Sequence, residues 1–470
     1  MKWTVDQYSH RSMLNVACFL ILSLRAAPLF SQELQWKVLG HMQQPRTDFG
    51  IATIGKGKVL VIGGFTEWQG VKKERHRGDV TATCEVIDVE SRLIFQTQSL
   101  NVPHAETVAL GTVDSNVIVI SGLNTDSTTT PICEMFDRKK NGWRVLGSLL
   151  IGRHYHMAAF INQEEIMVVG GRANYNYAGT IAEAEIFNIR TGKSRMVSDF
   201  PSKGNEGLAF KSELFSSQHI VFFSGRSEGY GYRPSNGYYY DTLSQHWKYA
   251  GRLPDGTYGS ASKLLFDGRL VITGGIKQES KIQPILNSDV RLEDSIGFVV
   301  VGVMIQPRHA FHLEQWSKEV IISMGGLSVP GSTLSNTEWF DLRTKQSFEG
   351  PPMNDARSHL NSVSFPTFDS QGNQQKACIV IFGGRSVGNR SLSSVEILET
   401  TNPQLIELPS TEIASRRRQQ LLTSPAVIIT LTVFILVLIL ALLYLLVQVL
   451  IIKQKATLPV WENEPLEVKQ

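Results

Sequence analysis

Apolar runs ended by glycine recur along the chain: VLVIGG at 59–64, VIVISG at 117–122, IMVVGG at 166–171, IVFFSG at 220–225, LVITGG at 270–275, VIISMGG at 320–326 and IVIFGG at 379–384. Their last glycines stand at 64, 122, 171, 225, 275, 326 and 384, so the steps between them are 58, 49, 54, 50, 51 and 58 residues. An apolar, β-branched run predicts a buried central strand. The glycines that stop it let the backbone turn with positive φ where a Cβ would clash. Seven copies at this spacing predict a repeat protein in which each unit packs only against its neighbours.

Around each run the pattern predicts four strands. An inner strand begins near a Pro-Arg or Arg-His signal, the glycine-ended run is the second, and the third carries a Glu before an apolar pair and Asp or Asn. The third is legible as CEVID (84–88), CEMFD (133–137), AEIFN (184–188), TEWFD (337–341) and VEILE (395–399). The fourth often carries Trp, as in WRVLG (143–147) and WKYAG (247–251), while repeats four and five are degenerate, with YYYD at 238–241 and DVRLED at 289–294. With these residues the stretch from about 35 to 408 resembles the kelch family. That resemblance implies an all-β fold, a seven-bladed β-propeller of twisted four-stranded antiparallel sheets around a central channel. WKVLG at 36–40 nearly repeats WRVLG, yet no glycine-ended strand precedes it. It is expected to complete the seventh blade beside 395–399, with PQLIEL at 403–408 as the competing strand.

The two ends read differently. Residues 13–24, MLNVACFLILSL, follow Lys2 and Arg11 and precede small residues, which predicts a signal peptide over 1–31, with an uncleaved anchor as the alternative. Residues 426–452 hold no charge and are mostly Leu, Ile and Val, which predicts one transmembrane helix. The expected organisation is a propeller over 32–409, a juxtamembrane stalk at 410–425, the span, and a short cytoplasmic tail at 453–470. Arg416, Arg417 and Arg418 before the span run against the positive-inside tendency. A large domain behind a signal peptide is translocated largely regardless of charge, so the propeller is expected outside the cytoplasm, periplasmic or extracellular.

A net charge of +3 disfavours nucleic acid as a partner. The four cysteines, Cys18, Cys84, Cys133 and Cys378, form no metal-spaced cluster, and Cys84 and Cys133 occupy equivalent strands of adjacent repeats, expected too far apart for a disulfide. No cofactor or metal is expected, and no catalytic residue is assigned.

Two sets of residues are candidates for binding. Arg46, Arg153, Arg308 and Arg357 head four inner strands, with His104, His154 and His309 beside them or in their place. Converging on one channel mouth, the guanidinium forks would make a cup for an anion, and kelch relatives that grip acidic peptides use arginines at this place. The opposing expectation is that they pair with acidic residues and tie blades together. His156 and His312 read as packed histidines, and Glu85, Glu134, Glu185, Glu338 and Glu396, recurring by blade, read as scaffold. The second set is Tyr175 and Tyr177 in RANYNYAG (172–179) and Tyr230 and Tyr232 in RSEGYGYRPSNGYYY (226–240), an adaptable surface for a protein or glycan.

The resemblance implies two enzyme readings as well. Copper radical oxidases of this fold need a Tyr, His and crosslinked Cys set that the chain does not offer clearly. Sialate mutarotases hold a carboxylate with arginines, which a mouth with Arg46, Arg153 and His154 would suit. The expected function is a non-enzymatic module binding a protein or glycan, preferably anionic, at a membrane surface, with mutarotase-like sugar isomerisation as the alternative. Asn389-Arg390-Ser391 fits a glycosylation acceptor, though one such triplet is expected by chance in a chain this long.

Overall fold

The structure is a computed structural model. It describes residues 34–401, apart from 56, 67–78, 127, 174–180, 202–207, 212–219, 224–235, 253–258, 279–284, 287–288, 295–296, 329–331, 369 and 372–373. The expected signal peptide, stalk, span and tail therefore lie outside the described residues. Among those described, no helix is long and apolar enough to cross a membrane.

In chain order the strands are β1 (Lys37–His41), β2 (Gly50–Thr53), β3 (Lys58–Ile62), β4 (Cys84–Asp88), β5 (Leu93–Gln96), β6 (Val108–Gly111), β7 (Val117–Leu123), β8 (Thr129–Asp137), β9 (Gly142–Ser148), β10 (Met157–Phe160), β11 (Glu165–Val169), β12 (Glu185–Asn188), β13 (Lys193–Met196), β14 (Leu208–Lys211), β15 (Ile220–Phe223), β16 (Asn236–Asp241) and β17 (His246–Arg252). They continue as β18 (Ala261–Leu264), β19 (Leu270–Thr273), β20 (Ile276–Gln278), β21 (Ile285–Leu286), β22 (Asp289–Asp294), β23 (Gly297–Val303), β24 (His312–Ser317), β25 (Val320–Met324), β26 (Thr337–Asp341), β27 (Gln346–Glu349), β28 (Asn361–Ser364), β29 (Thr367–Phe368), β30 (Gln374–Phe382) and β31 (Ser394–Thr400).

They form seven antiparallel blades: β2-β3-β4-β5, β6-β7-β8-β9, β10-β11-β12-β13, β14-β15-β16-β17, β18-β19-β22-β23, β24-β25-β26-β27 and β28-β30-β31-β1. Two additions, the β20-β21 hairpin and β29 on β30, lie off this plan. The seventh blade is closed from the N-terminal side. β1 pairs with β31, Lys37 opposite Ile397 and His41 opposite Ser394, and Trp36 beside it is 5% exposed. The rival strand at 403–408 lies outside the described residues.

The second strand of each blade is buried on both faces, which is why it reads as a continuous apolar run: Val59, Leu60, Val61 and Ile62 are all fully buried. The glycines behind it touch the next blade's chain. Gly63 sits at φ 59°, and a Cβ there would lie 2.2 Å from the His104 carbonyl oxygen, so no larger residue fits. Between blades, apolar side chains make the seams. Met42, Phe49, Val59, Val61 and Ile87 meet Cys378, Val380, Phe382, Val395 and Ile397 where the seventh blade joins the first.

The fourth strands carry a device that the Trp pattern alone does not reveal. Register slips just before a glycine in β1, β9, β17 and β23, so that Leu39, Leu146, Ala250 and Val301 are β-bulge residues. Each packs against a seam between blades. Cys84, Cys133 and Cys378 are free and buried, and burial pushes each thiol up to about 12.

Candidate binding face

The cationic cup is not present, and the four arginines expected to line it are a correction to that reading. Arg46, Arg153, Arg308 and Arg357 are each 0% exposed, and both Nη groups of each guanidinium are engaged within its own blade. Nη1 donates to the carbonyl of the first glycine of the pair, at 2.9 Å to Gly63, 3.0 Å to Gly170, 2.9 Å to Gly325 and 2.9 Å to Gly383. Nη2 donates to the third-strand glutamate, at 2.6 Å from Arg46 to Glu85 and 2.6 Å from Arg153 to Glu185, with Arg308 to Glu338 and Arg357 to Glu396 paired likewise. Each glutamate also accepts backbone N–H groups from the segment entering the blade, such as Gln43 at 2.8 Å on Glu85 and Leu150 at 2.6 Å on Glu185. Burial lowers each arginine's pKa and the paired carboxylate works against it. A buried arginine needs such a partner, so the recurring Gly-Gly, Glu and Arg are parts of one structural node.

The expected site histidines follow suit. In blade two His104 replaces the arginine: its Nδ1 lies 2.9 Å from the Ser121 carbonyl and its Nε2 3.5 Å from Glu134. Burial raises the Glu134 carboxyl, yet hydrogen bonds from His104, Asn101 and Val102 outweigh that and hold it below its usual value. His154 is fully buried with Nδ1 2.6 Å from Glu106. Burial lowers His309 to about 4. His156 and His312 are packed as expected, lowered by burial to about 3 and about 4, and His312 Nδ1 meets Ser362 Oγ at 2.9 Å.

At the hub lies a ring that sequence reasoning missed. Among the described residues, the residue two before the inner strand is left-handed in six blades: Asp48 (φ 52°), Glu106 (φ 51°), Tyr155 (φ 53°), Gly259 (φ 66°), Ala310 (φ 51°) and His359 (φ 48°). The N–H of one donates to the carbonyl of its counterpart in the preceding blade, Glu106 to Asp48 at 2.9 Å, Tyr155 to Glu106 at 3.1 Å, Ala310 to Gly259 at 2.9 Å and His359 to Ala310 at 3.0 Å. Two arginines reach this ring. Arg385 pairs with Asp48 and donates to Thr47 Oγ1 at 3.2 Å, and Arg172 lies over the Tyr155 ring at 5.9 Å. The sequence signal was an Arg directly after Gly-Gly, at 170–172 and 383–385. With Asp48 and Glu106 in the same ring, the hub is not a one-signed cationic site.

Antiparallel alternation puts the second-to-third connections at one end of every blade and the third-to-fourth connections at the other. The former run over 63–83, 124–128, 170–184, 224–235, 274–288, 325–336 and 383–393. The latter are tight turns at 89–92, 138–141, 189–192, 242–245 and 342–345, while in the fifth blade only residues 295–296, outside the described residues, separate the two strands. All but one of the former are long, so the long connections leave the blades on one face. Tyr175, Tyr177, Tyr230 and Tyr232 belong to two of these connections and lie outside the described residues. Among the described residues no three His, Cys, Asp or Glu side chains are grouped to hold a metal.

Among solved structures the chain is similar to a fungal alcohol oxidase of the AA5 family in complex with copper, at 14% identity and a TM-score of 0.57 over 78% of this chain and 76% of that one. It is also similar to YjhT, at 14% identity and a TM-score of 0.47 over 67% of this chain and 100% of that one. No family model and no curated protein matches the chain. At such identity the likeness to the oxidase is one of fold alone.

Proposed function

We propose that the protein is a non-enzymatic binding module, a propeller held at a membrane surface outside the cytoplasm by the apolar stretch at 426–452, that captures a protein or glycan on one face. The observation that carries this reading is the one-sided distribution of connection lengths: long second-to-third connections at one end of the blades, short third-to-fourth connections at the other. Surface connections on a rigid scaffold are where recognition is built. Two of them supply Tyr175, Tyr177, Tyr230 and Tyr232 with Gly, Ser and Asn, residues that contact ligands at low entropic cost.

The anionic preference has lost its basis, because the guanidinium groups meant to supply it are neutralised by glutamates. The isomerase reading loses support for the same reason: Arg46, Arg153 and His154 are engaged by Glu85, Glu185 and Glu106. The test is to screen the full-length protein in detergent on glycan and peptide arrays, beside a variant with all four tyrosines replaced by Ala. The wild type is expected to capture a defined ligand class and the variant to lose it with unchanged melting. Undiminished capture by the variant would overturn the assignment.

A further inference from the structure

Asn389-Arg390-Ser391 is the only Asn-x-Ser/Thr triplet in the chain, so sequence alone gives it no weight above coincidence. Its position changes that. Asn389 ends the short 3-10 turn Val387–Asn389 in the connection between β30 and β31, on the face that carries the long connections. It is exposed and left-handed, at φ 63°, and its neighbour Val387 is 64% exposed. A Cβ built on Gly388 would meet nothing within 4 Å, so the space beside the turn is open. Other asparagines are committed to the scaffold: Asn101 and Asn354 donate their amides to Glu134 and Glu396 at 2.6 and 2.8 Å.

We propose that Asn389 carries an N-linked glycan, an inference that rests on the reading of the propeller as extracytoplasmic. In the transfer, Asn389 Nδ2 forms a bond to C1 of an oligosaccharide donated by a polyprenyl-diphosphate carrier. The C1–O bond to the diphosphate breaks, the carrier diphosphate leaves with the electron pair, and the amide nitrogen loses one proton. Ser391 supplies the hydroxyl of the acceptor triplet. In the folded domain that hydroxyl is buried without a hydrogen-bond partner, and the Ser391 backbone is bridged to Arg385. Transfer therefore takes place on the unfolded chain, and the exposed turn then carries the product without disturbing the blade. A glycan there covers the seventh-blade sector of the face and leaves the third and fourth blades open to ligand.

The test is to express the full chain in eukaryotic secretory cells and follow its electrophoretic mobility with and without peptide-N-glycosidase. Asn389→Gln, Ser391→Ala, Ser391→Thr and Asp126→Thr run alongside, the last placing Asn124 in an acceptor triplet in the 124–128 connection. The wild type is expected to show one glycosidase-sensitive step, lost in Asn389→Gln and Ser391→Ala and kept in Ser391→Thr, with a second step in Asp126→Thr. A reporter step at Asn124 with none at Asn389 overturns the proposal and leaves the extracytoplasmic reading standing. No step in any protein overturns both.

Discussion

An arginine at the head of an inner strand can face a ligand or its own blade, and the difference lies in what else recurs with it. Where Arg46, Arg153, Arg308 and Arg357 occur, a third-strand glutamate occurs in the same repeat, and the two sit together with side chains at most 2% exposed. The paired recurrence was legible in the sequence; the direction of the guanidinium was not, because it depends on where the Gly-Gly carbonyl lands. Truncating one partner leaves a buried charge, a loss of about 3–5 kcal/mol. For Arg153→Ala the lower end is expected, since Glu185 keeps the Leu150 and Ile151 N–H groups and the Ser194 hydroxyl at 2.6, 3.1 and 2.8 Å. Arg153→Met combined with Glu185→Gln, whose amide oxygen can still accept from the Leu150 and Ile151 N–H groups, should lose less in denaturant unfolding than the sum of the two single losses, and additive losses would contradict the pairing.

The buried histidines give the fold a pH dependence of known sign. His156, His309 and His312 are lowered by burial to about 3, about 4 and about 4. Between those values and the ordinary histidine pKa the unfolded chain binds more protons than the folded one, so stability falls as pH drops from about 6.5 towards 4. Each contributes a slope on the order of 1 kcal/mol per pH unit. Melting measured across that window should show the slope reduced in a His312→Gln variant, and an unchanged slope would refute its share.

Among the elements, the most informative is β1. WKVLG was readable as a fourth strand because it repeats WRVLG without a glycine-ended partner before it. Its bulge was not, since register is set by the seam that Leu39 fills. Deleting residues 34–42 removes the buried Trp36 and Met42 and leaves β31 without its outer neighbour. A loss of several kcal/mol is expected from the apolar area alone, read as a fall in melting temperature; an unchanged melt would return the closing role to 403–408. Gly147 tests the bulge in blade two. A Cβ there would lie 2.0 Å from the Gly192 carbonyl oxygen, so Gly147→Ala must push the second and third blades apart, whereas Ala at Gly268, which meets nothing within 4 Å, costs only the strain of its positive φ. Equal melts for the two variants would contradict the seam.

At the scale of the whole molecule, spacing and strand pattern specify a seven-bladed ring because every blade repeats the same glycine-ended apolar strand, and four of them, the first, third, sixth and seventh, repeat the Arg–Glu node. The binding site is less legible for the same reason: residues that recur blade by blade serve the ring, and what distinguishes one blade from another is the connections, which carry no repeating signal. The account places recognition on the face bearing those connections. Hydrogen-exchange protection of the full-length protein with its captured ligand tests this most directly. Protection is expected across 170–184 and 224–235, with the turns at 138–141 and 189–192 unchanged; protection concentrated in those turns would contradict it.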